Sequence, residues 1–337
     1  MKIPAVIFGT STLGNLYEAL PFEVKLSIVR ECIQHAPDGI AMFDTAGKYG
    51  AGLALEVLGQ CLEQLQVPAD KVIINNKLGW YRVPLTTPEP TFEGDVWKDL
   101  KHDAVQRISY DGIIACYEQG NKLLGNYQTQ MVSVHDPDEY LAAAVDEDDA
   151  AKRYNDILDA YKALQTLKQA GKIASIGVGA KNWRSIARIA KDVALDWVMI
   201  ANSLSVKTHE QPLLQFIDTT HRQGVTVINS AVFNGGFLVG KDYYNYKFVD
   251  ASTAPGRELL QWRTQFFALC KQFNILPAEA CFNFGFNIQG VNAVAVSTSH
   301  PDVVQHNIAL ASKQVPVAFW KAMKAQGLLE PHYHIHE

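Results

Sequence analysis

Four residues in this chain could together move a proton, and each stands at or just beyond the end of an apolar run. They are Asp44 in Phe43-Asp44-Thr45-Ala46, Tyr49 five residues on, Lys77 after Asn75-Asn76, and His135 ahead of Asp136-Pro137. A phenol ionises near pH ~10, too high for a proton acceptor at neutrality. A lysine ammonium a few ångströms away favours the phenolate and lowers that value. A carboxylate such as Asp44 would keep that lysine charged and oriented in a partly dry pocket. A neutral imidazole at His135 would donate a hydrogen bond to a substrate oxygen. The set describes proton transfer coupled to hydride transfer at a carbinol or carbonyl carbon. Singly, each residue has a plainer reading as a helix cap, a turn anchor, a surface lysine or a core histidine.

Bringing them to one place requires a scaffold, and the chain repeats one. Short apolar runs occur at 5–8, 40–43, 72–74, 131–134, 174–178, 197–200, 225–228 and 294–296. They are rich in β-branched or aromatic residues and lack in/out alternation, which marks strands buried on both faces. Helical spacing falls between them, near 22–35, 52–65, 112–124, 183–192, 211–223 and 257–288, the last broken at Pro277. Another helix follows Asp146–Asp149, with Tyr154, Ile157, Tyr161, Leu164 and Leu167 on one face and Gly171 beyond its end. The acidic stretch is read as a solvated helix start. Eight strand–helix repeats imply an α/β (β/α)8 TIM barrel, a single domain over residues 1–330 with 331–337 as a flexible tail. An open doubly wound sheet is the competitor, but Gly9-Thr10-Ser11-Thr12-Leu13-Gly14 lacks the GxGxxG spacing that such a sheet usually carries.

In a barrel, catalytic groups come from the C-terminal ends of different strands. Asp44, Lys77 and His135 would lie at the ends of the second, third and fourth strands. Two loops are long: 79–104 after the third strand, with Trp80, Tyr81, Phe92 and Trp97, and 234–256 after the seventh, with Gly235, Gly236, Tyr243, Tyr244, Tyr246 and Phe248. Their aromatic faces would suit sugar rings; packing of large loops is the alternative.

Composition narrows the function classes. The 337 residues hold 30 Lys+Arg against 35 Asp+Glu, a net charge of -5 without a basic stripe, which argues against a nucleic-acid partner. No apolar stretch approaches the ~20 residues of a membrane helix. The opening MKIPAVIFGT reads as strand rather than signal peptide. Five scattered cysteines suit a reducing cytoplasm and offer neither a disulfide framework nor a thiolate metal site. No metal is expected, although His332, His334 and His336 alternate near the C-terminus.

The motifs Phe8-Gly9-Thr10-Ser11, Phe43-Asp44-Thr45-Ala46 with Tyr49-Gly50, Asn76-Lys77-Leu78-Gly79 and Val134-His135-Asp136-Pro137 resemble those of the aldo-keto reductases, nicotinamide-dependent barrel oxidoreductases, over nearly the whole chain. The resemblance implies Tyr49 as general acid/base, Asp44 and Lys77 as the groups that tune it, and His135 as the group that positions substrate. Ser109-Tyr110-Asp111-Gly112, His135-Asp136-Pro137-Asp138 and Ser230-Ala231-Val232-Phe233-Asn234-Gly235-Gly236 are similar to the sugar 1-dehydrogenase branch, to which pyridoxal 4-dehydrogenase is also similar. That branch implies oxidation of an aldose at C1, with Trp80, Tyr17 and Asp136 facing the sugar.

For the cofactor, the resemblance implies pyrophosphate near Ser230, Phe233, Asn234, Gly235 and Gly236, and the adenosine end near Ser297, Thr298 and Asn307. Asn182 and Asn202 stand where the family grips the carboxamide, although the surrounding residues depart from its usual Ser-Asn and Gln. Residues 297–303 contain no Lys or Arg to neutralise a 2′-phosphate and contain Asp302, so NAD is preferred over NADP. Three readings stay open beside the sugar dehydrogenase: an NADPH-dependent aldehyde or ketone reductase, a pyridoxal 4-dehydrogenase, and a redox-sensing subunit that binds nicotinamide without catalysis. The expected partners are a small-molecule substrate and the cofactor, and a homo-oligomer is compatible with the reading.

Overall fold

The computed structural model describes residues 3–94, 96–245 and 247–333. Eight parallel strands close a barrel: β1 (Val6–Gly9), β2 (Ala41–Ala46), β3 (Val72–Leu78), β4 (Met131–His135), β5 (Ser175–Ala180), β6 (Trp197–Ala201), β7 (Thr226–Ser230) and β8 (Val291–Val296). Their order around the barrel follows the chain, and β8 pairs with β1. This is the expected (β/α)8 fold. β2, β3 and β4 are buried along their whole length, as the continuous apolar runs required.

Register decides which polar residues meet. Asp44 of β2 lies opposite Asn75 of β3, and Ala46 opposite Lys77. Because side chains alternate between faces, Asn75 and Lys77 share the face of Asp44. One strand further, Lys77 lies opposite Ser133, so His135, two residues on, shares that face too.

The helices fall where the periodicity placed them: Phe22–Gln34, Leu53–Gln64, Tyr110–Leu124, Glu147–Gln169, Trp183–Asp192 and Gln211–Arg222. The expected 257–288 helix is two pieces, Ala254–Gln272 and Pro277–Asn287, because proline opens the second. Asp146 caps Glu147–Gln169 by accepting from the Asp149 N–H at 2.8 Å, so the acidic run is a helix start.

The 79–104 linker is more ordered than its proline content suggested. Trp80–Pro84 pairs antiparallel with His102–Gln106, and the intervening segment returns so that Trp97 bridges Leu16. In the second long loop, Tyr243–Tyr244 pairs with Lys247–Phe248; Tyr246 lies outside the described residues. In the stretch expected as a tail, Tyr333 is 6% exposed, its ring lies 4.8 Å from that of Phe284, and His332 Nε2 meets the His209 carbonyl at 2.8 Å. Residues 334–337 lie outside the described set.

The chain packs as two compact units, one comprising residues up to Met199 with Ala295–Ile308, the other Ile200–Val294 with the chain from Ala309 onward. Among the described residues no helix is long and apolar enough to cross a membrane.

Candidate active site

The first unit brings Asp44, Tyr49, Lys77 and His135 together. Lys77 Nζ donates to Asp44 Oδ2 at 2.5 Å, and Asn75 Nδ2 donates to Asp44 Oδ1 at 2.7 Å, so both carboxylate oxygens are engaged. Asp44 is 5% exposed, Lys77 4% and His135 3%. An ion pair this deep is costly to assemble, and here the carboxylate is satisfied at both oxygens. Above it, Lys77 Nζ lies 4.8 Å from the centroid of the Tyr49 ring, and His135 meets that ring edge-on at 5.6 Å.

Tyr49 projects from the turn after β2, closed by its N–H to the Ala46 carbonyl at 3.1 Å. The chain crosses itself closely here. A Cβ on Gly50, whose φ is +61°, would lie 2.3 Å from the Gly14 carbonyl oxygen, and one on Gly14 would lie 2.8 Å from the Tyr49 carbonyl carbon. Both positions require glycine.

His135 is held neutral. Burial, followed by the Lys77, Lys48 and Lys181 ammoniums, keeps its pKa well below the ordinary imidazole value. Its Nδ1 is buried without a hydrogen-bond partner. Trp80 opens the hairpin after β3 and likewise has a buried, unpartnered Nε1. Its ring lies 5.6 Å from Phe92. Tyr17 is 48% exposed, with its N–H on the Val96 carbonyl at 2.8 Å.

Asp136, with φ +43°, stands among charges: its Oδ2 is 3.6 Å from His135 Nε2, 3.7 Å from Lys48 Nζ and 3.8 Å from Lys181 Nζ. Lys48 also meets Glu93 at 2.6 Å and Glu139 at 3.1 Å, and Lys181 pairs with Glu139. Burial works against the Lys48 ammonium, but Asp136, Glu93 and Glu139 outweigh it and raise its pKa above the ordinary value. Trp97, one of the aromatic residues noted in the 79–104 loop, has its ring 5.8 Å from that of Tyr49, whereas sequence reasoning missed Lys48, Glu93 and Glu139. Their one local sign was a lysine directly before the strand-end tyrosine.

The residues expected at the cofactor sort differently. Asn182 is committed as a helix cap: its Oδ1 accepts from the Arg184 N–H at 3.0 Å, and its own N–H donates to Asp138 at 2.7 Å. Ser297, Thr298 and Asn307 line a cavity with Gly9, Cys32 and Val304. Thr12 Oγ1 donates to the Thr298 carbonyl at 3.0 Å, fixing that stretch.

Within the second unit, Asn202 is 6% exposed and its Oδ1 is buried without a partner. Its carbonyl accepts from Asn234 Nδ2 at 3.1 Å, and its N–H donates to the Ser230 carbonyl at 3.3 Å. Ser230 Oγ reaches the Ile200 carbonyl at 3.4 Å. After Phe233, three successive residues, Asn234, Gly235 and Gly236, have positive φ of 47°, 73° and 92°. Glycine at the last two leaves the backbone open to close approach by a phosphate. An orphaned amide oxygen and a glycine-lined turn fit a nicotinamide dinucleotide.

The aldo/keto reductase family profile covers residues 5–326. The chain is 25% identical to the D-threo-aldose 1-dehydrogenase of a Pseudomonas species over 98% of its length and 95% of the relative's. It is 23% identical to the pyridoxal 4-dehydrogenase of Microbacterium luteolum, with the same coverage of both chains. In fold it is similar to the glycerol dehydrogenase of Gluconobacter oxydans, with a TM-score of 0.68, 17% identity, and coverage of 98% and 95% of the two chains.

Proposed function

The chain belongs to the aldo/keto reductase family of NAD(P)-dependent oxidoreductases, and from that premise we propose that it oxidises the anomeric hydroxyl of an aldose to the aldonolactone. The observation that carries the oxidoreductase chemistry is the Lys77–Asp44 pair against the face of Tyr49, with a neutral His135 at the ring's edge. When bound, a nicotinamide dinucleotide supplies the hydride acceptor. Tyr49 takes the hydroxyl proton, in the phenolate form that the Lys77 ammonium favours. Asp44 keeps Lys77 aimed at the ring. His135 holds the substrate oxygen through Nδ1, and burial excludes competing water.

Two observations favour a sugar. Trp80 offers an aromatic face with a free indole donor, and Lys48, Asp136 and Glu139 supply charged donors and acceptors nearby, the mixture that a ring bearing many hydroxyls requires. The D-threo-aldose relative points the same way. The similarity to a pyridoxal 4-dehydrogenase supports a second reading, since the pyridoxal hemiacetal offers a similar carbon.

Asn202 and the Ser230–Gly236 turn are proposed to hold the carboxamide and pyrophosphate, and Ser297, Thr298 and Asn307 the adenosine end. NAD is the proposed preference. Asp302 stands in the first turn of its helix, and Lys181, a basic residue that could otherwise meet a 2′-phosphate, is tied to Glu139.

Absorbance at the NADH band should rise with NAD and one or more of L-fucose, D-arabinose, L-galactose and L-xylose. A higher kcat/KM for pyridoxal, or for NADP, would overturn the corresponding part of this reading. Tyr49→Phe should lower turnover by at least ~100-fold with cofactor binding intact.

A further inference from the structure

Lys48 takes no part in the proton and hydride steps above, yet its side chain is only 5% exposed and its ammonium meets three carboxylates, Glu93, Glu139 and Asp136. Burying an ammonium is expensive, and the turn itself does not need it, since its hydrogen bonds run through backbone atoms. The partners come from two loops, and two of them reach catalytic groups. Asp136 Oδ2 lies 3.6 Å from His135 Nε2. Glu93 Oε2 accepts from Trp97 Nε1 at 2.8 Å, and Trp97 packs on Tyr49. The covering segment also carries apolar groups: Phe92 and Trp97 are buried with Ala51 and Ala104 against Tyr49, Trp80 and Leu16.

We propose that Lys48 is a positioning residue whose ammonium shares the Asp136 carboxylate with His135 and, through Glu93, fastens Trp97 over Tyr49. The proposal rests on the reading of Tyr49 and His135 as catalytic. One cation thereby sets both the cover of the proton acceptor and the charge state of the substrate-orienting imidazole.

The groups facing His135 come from every loop around it. Lys77 approaches from β3, where Asp44 pairs with it; Lys48 from the turn after β2; Lys181 from the end of β5; Asp136 and Glu139 from its own loop; and the Tyr49 ring packs against it. Taking Lys48 away removes a cation that opposes protonation of His135 and releases the Asp136 carboxylate 3.6 Å from it. Both changes favour imidazolium, so His135 would gain its proton at higher pH and pair with Asp136 instead of the substrate.

The test uses the full chain with Lys48→Met, Lys48→Gln and Lys48→Arg. The His135 titration is followed by NMR in ring-labelled protein, assigned by the resonance missing from His135→Asn, and needs no substrate. In both neutral variants it should move to higher pH. The acidic limb of kcat/KM against pH should move the same way, with kcat/KM at least ~10-fold lower. Trp97 should become more open to a fluorescence quencher, read as the quenching lost in Trp97→Phe. Arginine should bring all three back toward the parent. An unmoved His135 titration in whichever neutral variant folds, or an arginine variant matching the methionine one, overturns the proposal. Should neither aldoses nor pyridoxal be turned over, the functional reading fails, while the titration still decides the role of Lys48.

Discussion

Lys48 and Lys77 are equally deep, each 4% exposed, but they are held in opposite ways. Lys77 grows from a barrel strand and answers to one carboxylate, whose second oxygen is occupied by Asn75. Strand register sets the whole arrangement. Lys48 grows from a turn and is shared among three carboxylates, of which Glu93 and Glu139 are 32% and 42% exposed in their side chains. Those partners are held outside the barrel strands, Glu93 by the Trp97 indole and Glu139 by Lys181. The pair proposed to tune a proton acceptor is built on barrel strands, and the cluster proposed to cover it is built on the segments beyond them.

That contrast can be broken at several strengths. Asp44→Asn leaves the Lys77 charge buried without its counter-ion and should cost about 3–5 kcal/mol in urea unfolding. A loss below ~1 kcal/mol would mean that the pair is no more rigid than a surface one. Lys77→Met should lower kcat at least ~100-fold, about 2.7 kcal/mol of barrier, with the cofactor Kd unchanged in a titration. Near-parental turnover would remove the chemical half of the contrast.

His209 provides a buried imidazole with no catalytic lysine beside it. Burial chiefly lowers its pKa to about 4, and its ring nitrogens engage the Ser205 carbonyl and the Glu330 N–H. The unfolded chain takes this proton near pH ~6.5 and the folded one does not. Its contribution is therefore complete above that pH and is lost on acidification toward about 4, at about 1.4 kcal/mol per pH unit. Melting temperatures across that range should fall less steeply in His209→Gln; an equal slope would place the acid sensitivity elsewhere. Glu93→Gln should be the mildest change, under ~1 kcal/mol, because Lys48 keeps two carboxylates. A cost like that of Asp44→Asn would erase the distinction.

The barrel, and the meeting of Asp44, Tyr49, Lys77 and His135, were legible because each strand announces itself as an apolar run and each of these residues follows one. The same criterion cut strands short. β2 continues through Asp44 and Thr45, and β3 through Asn75, Asn76 and Lys77, all buried within the sheet where an apolarity test stops. Prolines at 84, 88 and 90 hid the hairpin after β3. Asn182, read toward the carboxamide, stands directly before a helix, the position at which asparagine caps. The Lys48 cluster was out of reach for another reason: its members lie far apart in sequence and meet only through loop conformations that no local pattern encodes.

The crossing of Gly14 and Gly50 beneath Tyr49 has an evolutionary corollary. Because a single methyl group at either point would collide with main chain, the perch of the reactive phenol is closed to drift. Descendants of this protein that come to accept other molecules would then have to change through the Phe92–Trp97 stretch and its lysine tether, leaving the two glycines untouched.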